Sequence, residues 1–578
     1  MTQNASFIRK VIYITAIAVL LLPLASISQP ATATADGLSR GGLLASMRQK
    51  YNLSQALLGE IDPASESMRL ALFGLQGVAA NILWDRAHEY KKKKNWAALD
   101  ATVKQIVRLQ PNFKKVWDFQ AHNLSYNVSV EFDNYEHRYL WVKKGIDFLI
   151  TGTHYNTDDP LLLWDLGWYT GQKLGRSDEK KQFRRLYRLD REFHKSFRDN
   201  GINVEEALGA DGKPDNWYTA RLWYMKGQRS ADDRGRPIRG KSPLIYHNQP
   251  AMAQINGSDA MEKDGFLGER AQSEWRKAEE EYRKFGARPI PTSYGHPVRL
   301  NDMESIRERA VAIRKELDTL APGAREELLK ENLDKLTPAE RAVYDKKPAD
   351  RTIEETRTMY EVQGKLAVTD AAVAAKAPAD KRAEAWRKAD QIATEDTVAN
   401  HTERYRDIIN FAYWRSRCQA EQLDDAIAAH KHLFDAETAY RKTDLAAAKT
   451  EYETAFTHWA KVYAQHPLLM DNAEAQDVVD SVKKYNDILG QLDEEFPAEF
   501  PLNSLLDLHD EGRKIRAMQR KSKAPTEAKS EESKPEEAKP DEKKEPEGKD
   551  SEKNAPGDEK PTDAKPETEG DAKPAESK

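Results

Sequence analysis

KKKKNWAALDATVKQIVRLQP, residues 91 to 111, sets four consecutive lysines directly before a regular apolar pattern. Leu99, Val103, Ile106 and Leu109 recur at the three- and four-residue steps of one helix face, and Pro111 stops the run. Upstream, Leu83, Ala87 and Tyr90 keep helical spacing until the lysines and Asn95 interrupt it. Two short amphipathic helices and a closing proline thus occupy about 34 residues, Ala80 to Phe113. On this reading the lysines end one helix and turn the chain into the next, with their charges in water. They are punctuation rather than a patch for nucleic acid.

The whole chain supports a repetitive architecture. Of its 578 residues 32% are charged and 39% apolar, a poor mixture for one large closed core. The formal net charge of -5 lacks the basic bias of dedicated nucleic-acid binders, and no nucleic-acid partner is expected. Acids outnumber lysines by the same five in the tail that follows Arg520, so the remainder is close to neutral. That tail, residues 521–578, is rich in Lys, Glu and Pro and has no aromatic residue. It cannot bury enough apolar surface to offset ordering and is expected to be disordered. The single cysteine, Cys418, excludes an intrachain disulfide and any four-cysteine metal site.

The amino terminus reads as an export segment. Arg9 and Lys10 precede VIYITAIAVLLLPLASIS, Val11 to Ser28, which carries no charge, and the small-residue run ATATA follows soon after. The segment just reaches the length of a membrane span. The expectation is a single-pass transmembrane anchor at 11–28, with residues 1–10 in the cytoplasm and the bulk of the chain in the periplasm. Cleavage as a signal peptide and release to the periplasm is the alternative. Residues 29–62 read as a linker and leading helix. A second apolar run, Leu70 to Trp84, contains Gln76 and Asn81 and ends on Asp85 and Arg86, which predicts a buried helix rather than another span.

The helical pattern of residues 80–113 returns. Trp117 and Ala121 open KVWDFQAHNLSYN, YEHRYLWVKKGIDFLITG runs on toward Pro160, and Trp164, Leu166 and Gly167 follow in LLLWDLGWYTGQKLG. Glu179–Phe197 would supply the next partner helix. Far downstream, Ala436, Ala439, Tyr440, Asp444, Ala448, Tyr452 and Ala455 fall on similar positions within residues 429–467. These stretches resemble tetratricopeptide repeats, with Ala87, Tyr90 and Pro111 at the family's small, aromatic and proline positions; Lys94 replaces the usual glycine and Leu99 the usual alanine. The chain also resembles membrane-anchored bacterial proteins built from such repeats.

The resemblance implies an all-α, helical-hairpin α-solenoid of tetratricopeptide type, with repeats over 63–200 and further repeat-like helices over 396–520. It also implies a scaffold whose groove, lined by first helices, holds a protein or peptide. Asn81, Arg86, Asn123 and Tyr126 are the groove positions expected to touch that partner. No cofactor is implied. Between the repeat blocks, residues 201–300 are rich in Gly, Pro and charge and read as an irregular, loop-rich insertion, with ERAQSEWRKAEEEYRKFG, Glu269 to Gly286, as a charged helix within it. Residues 301–395 read as an exposed charged helical hairpin or coiled coil.

Chemistry is sparse in the sequence. No phosphate-binding glycine loop, HExxH, CxxC or nucleophile-elbow motif can be read, so no catalytic residue and no metal ligand is assigned. His430 and His432 lie two residues apart, which turns their imidazoles roughly 200° from each other on a helix and favours surface histidines over a shared metal. Cys418 reads as a buried or idle thiol. Arg234, Arg236, Arg239 and Lys241 in RGRPIRGKSP form the best anion-binding loop, with a solvated basic loop as the plainer reading. An envelope enzyme remains the alternative to the scaffold. It requires loops 229–260 and 288–300 to close over the groove and bring Arg236, Arg239 and His247 together with an acid.

Overall fold

The computed structural model describes residues 76–472 and 475–522 and a handful of positions before them. The export segment Val11–Ser28, the linker 29–62 and the tail from residue 523 lie outside the described residues but for those few positions. Apart from a two-residue pairing of β1 (Ala33–Thr34) with β2 (Gly37–Leu38), the described chain is α-helical. No described helix is long and apolar enough to cross a membrane.

The opening stretch folds as its spacing predicts. Helix α1 (Gln76–Lys92) packs on α2 (Trp96–Leu109), burying Ala80 and Ala87 against Leu99, Val103 and Ile106. The helix expected over Leu70–Trp84 is described from Gln76 onward and is only half-buried, because Val78 and Ile82 stay exposed. Lys94 takes a left-handed φ of 53° at the turn. This lets the N–H groups of Lys94 and Asn95 donate back to the Lys91 and Tyr90 carbonyls at 3.1 and 2.9 Å, while the Asn95 side chain accepts from the Ala98 N–H. The lysines sit at this junction: Lys94 pairs with Glu131 at 3.1 Å, and the Lys91 ammonium lies 5.3 Å from the centre of the Phe119 ring.

Helices α3 (Lys114–His122), α4 (Tyr135–Tyr155) and α5 (Pro160–Trp168) continue the succession. Both α3 and α5 run into a π-helical turn, Asn123–Val128 and Tyr169–Lys173, so the two segments headed by Trp117 and Trp164 share one irregularity. After α6 (Lys180–Leu189) and α7 (Arg191–Asp199), helix α8 (Asn216–Asp232) packs directly on α5. Gly167 makes this approach possible, since a Cβ there would stand 2.7 Å from the Tyr224 ring.

The segment 201–300, expected as loops around one charged helix at Glu269–Gly286, is mostly helix. After α8 come α9 (Pro243–Lys263) and α10 (Glu269–Ala287), and only shorter stretches such as 233–242 and 288–299 are irregular. The glycines and prolines that signal a loop are helix boundaries instead. Pro243 occupies the first turn of α9, where its missing N–H costs nothing, and Gly265 (φ 89°) and Gly268 (φ 77°) turn the chain into α10. Pro250 lies buried within α9.

The excursion from the main succession lies later in the chain. Helix α11 (Met303–Leu320) leads through the short helices α12 (Ala324–Leu333), α13 (Pro338–Asp345), α14 (Ile353–Leu366) and α15 (Asp370–Lys376) to α16 (Arg382–Ile408), which packs back on α11. The charged hairpin therefore runs on to residue 408. It has its own small core, including Leu317, Ala374, Ala385 and Ile392, bracketed by pairs such as Arg309–Glu395 at 2.9 Å and Arg314–Asp370 at 3.1 Å. Helix α17 (Phe411–Ala420) then packs on α10, joining Phe411 and Cys418 to Trp275, Tyr282 and Phe285 in one core.

Helices α18 (Asp424–Arg441) and α19 (Leu445–Gln465) are joined, like α1 and α2, by a short turn through a residue with a left-handed φ. Thr443 adopts φ 61° at their turn, the Asp444 N–H donates to the Ala439 carbonyl at 3.1 Å, and the Asp444 side chain caps α19. Helix α20 (Gln476–Gln491) packs on α19, and α21 (Asn503–Leu508) and α22 (Asp510–Ser522) end the described chain.

Candidate functional site

The end of α9 faces α17, α18, α19 and the start of α20 across an open cavity of about 330 Å³. Leu433, Phe434, Trp459, Tyr463, Leu469 and Val478 supply apolar wall. Charged groups stand among them because helical spacing aims them inward: Asp259, Glu262 and Lys263 from the last turn of α9, Arg417 and Glu421 one turn apart at the end of α17, and His430 from α18.

These charges are ordered into a chain. Arg417 pairs with Asp259 at 2.6 Å and with Glu421 at 3.4 Å. Lys263 bridges Asp259 and Asp477 at 3.3 and 3.2 Å. The Nε2 of His430 lies 2.8 Å from Glu421 and 3.8 Å from Glu262. Burial disfavours the imidazolium, but Glu262 and Glu421 outweigh that penalty and raise His430 to about 9. Burial raises Glu262 to about 7, with His430 pulling the other way and Glu421 adding to the rise. Burial also opposes ionisation of Glu421 and Asp259, yet both are held below the usual carboxylate range, Glu421 by His430 and Arg417 and Asp259 by Arg417 and Lys263. Glu262, Glu421 and His430 each offer one ligand atom, and the three atoms lie within 4.8 Å of one another.

The sequence-derived positions fall elsewhere. Asn81 and Arg86 are exposed on α1. Asn123 is buried, 1% exposed, and accepts from Asn127 at 2.9 Å. It is therefore not an open groove position as expected, since the π-helical turn carries it inward. Tyr126 is half-buried, stacked on His122 at 4.9 Å with the Lys173 ammonium 4.4 Å from its ring centre.

The basic loop is engaged with acids of α5 and of the turn before it. Arg234 pairs with Asp158, and Lys241 lies 3.6 Å from Asp165 and 3.8 Å from the centre of the Trp164 ring. Arg239 borders a shallow cavity with Lys114, Lys115 and Asp159. Neither Arg236 nor His247 lines that cavity. Burial lowers His247 to about 4, with Arg288 reinforcing the drop and Asp232 opposing it, and its Nδ1 is buried without a hydrogen-bond partner among the described residues.

The cavity itself escaped the sequence reading. His432, two residues on, donates to Glu451 at 2.6 Å away from the cavity cluster, whereas the partners of His430 come from α9 and the end of α17. Glu421 stands only nine residues before His430, so the pair was within reach of a helix-turn-helix reading. Glu262 was not, because nothing local indicates that α9 returns to α18. Cys418 is buried, and burial pushes its thiol well above the usual range, consistent with an inert side chain. No protein-family model matches the chain, and no curated protein matches it.

Proposed function

We propose that the chain is an extracytoplasmic scaffold of tetratricopeptide-like helix pairs, tethered to the inner membrane through residues 11–28, that holds a segment of a protein partner. The observation that carries this reading is the open cavity between α9 and α17–α20, where apolar walls surround charges already fixed by their neighbours. Such a lining suits a peptide segment, which buries side chains on the walls and pairs its polar groups with an ordered rim. The shared turn at Lys94–Asn95 and Thr443–Asp444, and the matched π-helical turns after Trp117 and Trp164, support repetition as the building plan.

This moves the expected contact surface from α1 and α3 to the C-terminal helices. Phe434, 43% exposed at the cavity, takes the place of Asn123 as the position to probe. The full-length chain, cross-linked in intact cells and purified from membranes, is expected to carry a discrete protein partner. Recovery of that partner should fall with Phe434→Ala and should persist with Arg86→Ala. Undiminished recovery with Phe434→Ala would refute the cavity as the docking site, and a chain still in the membrane fraction after deletion of residues 11–28 would refute the tether.

A further inference from the structure

We propose that Glu262, Glu421 and His430 form a binding site for a divalent transition-metal ion of the zinc type, with one coordination position left open to the cavity. The donors are one imidazole nitrogen and two carboxylate oxygens contributed by α9, the end of α17 and α18. Their separations of 2.8 Å and 3.8 Å about His430 straddle the edge of about 3.4 Å expected for a tetrahedron with bonds of about 2.1 Å, so small side-chain adjustments bring all three onto one ion. The mixed nitrogen and oxygen set favours zinc and its neighbours over calcium or magnesium, which prefer all-oxygen shells.

Glu262 supplies the independent observation. Its side chain is 5% exposed and lies beyond hydrogen-bond distance of His430, its only ion-pair partner among the described residues. The nearby Trp275 indole favours the ionised carboxylate, yet its Nε1 is buried without a well-formed hydrogen bond. A buried carboxylate that stands beyond hydrogen-bond distance of its ion-pair partner and converges with two further ligand atoms is a group that a bound cation satisfies.

The surroundings are arranged to tolerate that cation. Arg417 holds one oxygen of Glu421 at 3.4 Å, fixing the carboxylate so that its other oxygen faces His430. Arg417 is itself paired with Asp259, and Lys263 with Asp259 and Asp477, so the fixed cations nearby are already compensated. Three protein ligands beside an open cavity give the arrangement of a site that accepts water or a ligand carboxylate as its fourth group. This inference stands apart from the scaffold reading, because the ligands converge whether or not a partner fills the cavity.

The test is titration of the purified, metal-stripped full chain with Zn²⁺ against a chromophoric chelator. One tight equivalent is expected. Glu262→Gln and His430→Gln should each weaken it at least as much as loss of an outer-shell partner does, ~10- to 100-fold. His432→Gln, which removes the partner of Glu451, should leave it unchanged. Co²⁺ in the same site should give the intense visible absorption of a four- or five-coordinate ion. Absence of the tight equivalent, unchanged affinity in the nearly isosteric Glu262→Gln, or a cobalt spectrum like that of the hydrated ion would overturn the proposal.

Discussion

The Nε2 of His430 sits 2.8 Å from a carboxylate oxygen of Glu421, and this contact ties the first helix of the C-terminal pair to the end of α17. It also makes the cavity sensitive to pH. His430 is raised from 6.5 to about 9, so its contribution to stability is complete below 6.5 and is lost as pH rises through 9. Glu262 is raised from 4.5 to about 7, so its ionisation is disfavoured by folding and its contribution is lost as pH rises from 4.5 through 7. Both act in the same direction. Thermal melts of the metal-free protein in chelator should show a destabilising contribution from this cluster growing from about pH 5 to 9. Glu262→Gln should gain on wild type across the lower half of that window, and a difference that does not change with pH would contradict the assignment.

The left-handed turns make a second prediction. Lys94 and Thr443 hold φ of 53° and 61°, a conformation that costs a residue with a Cβ roughly 1–2 kcal/mol, part of which glycine gives back as unfolded-chain entropy. Lys94→Gly and Thr443→Gly should therefore each stabilise the fold by about 0.5–1 kcal/mol in urea unfolding. Lys94 also gives up its pair with Glu131, but that pair is exposed and contributes little.

Close packing at Gly167 makes a third. A methyl group there would meet the Tyr224 ring at 2.7 Å, with the ring itself buried between helices. Gly167→Ala should cost about 1–3 kcal/mol by overpacking, measured as a lower midpoint of chemical unfolding. A neutral result would show that α5 and α8 have room to separate.

A fourth concerns the buried network behind α6. Arg184 lies 3.2 Å from Asp215 and 3.0 Å from Asp264, and Arg188 reaches the same two acids at 3.2 and 2.7 Å. Arg184 and Asp215 are almost fully buried, so Arg184→Met leaves Asp215 short of a partner and is expected to destabilise by about 3 kcal/mol. An exposed pair such as Lys195–Asp199 should cost well under about 1 kcal/mol when broken.

Helix pairing was legible wherever the apolar stripe and its caps were local. Leu99, Val103 and Ile106 predict α2, and Asp444 with Ala448, Tyr452 and Ala455 predicts α19. Within residues 201–300 the charged helix α10 is legible, but α8 and α9 are not, because residues such as Pro243, Gly265 and Gly268 give the same signal whether they bound a helix or interrupt one. The position of the excursion was hidden for another reason: the contact of α10 with α17 spans more than a hundred residues, and periodicity carries no information about such partners. Of the cavity, only His430 attracted notice in the sequence, and a spacing argument confined to its own helix pointed it to solvent.

The most direct test of the scaffold reading is site-specific photocrosslinking in cells. A photoreactive phenylalanine analogue placed at Phe434 in the full-length chain should give a discrete protein adduct. The same analogue at Tyr360, 72% exposed on the 303–408 excursion, should give none. The Phe434 adduct should also be lost when Trp459→Ala reshapes the cavity wall in a chain that still folds. No adduct at 434, or one that survives the altered wall, would contradict the proposal that this cavity holds the partner.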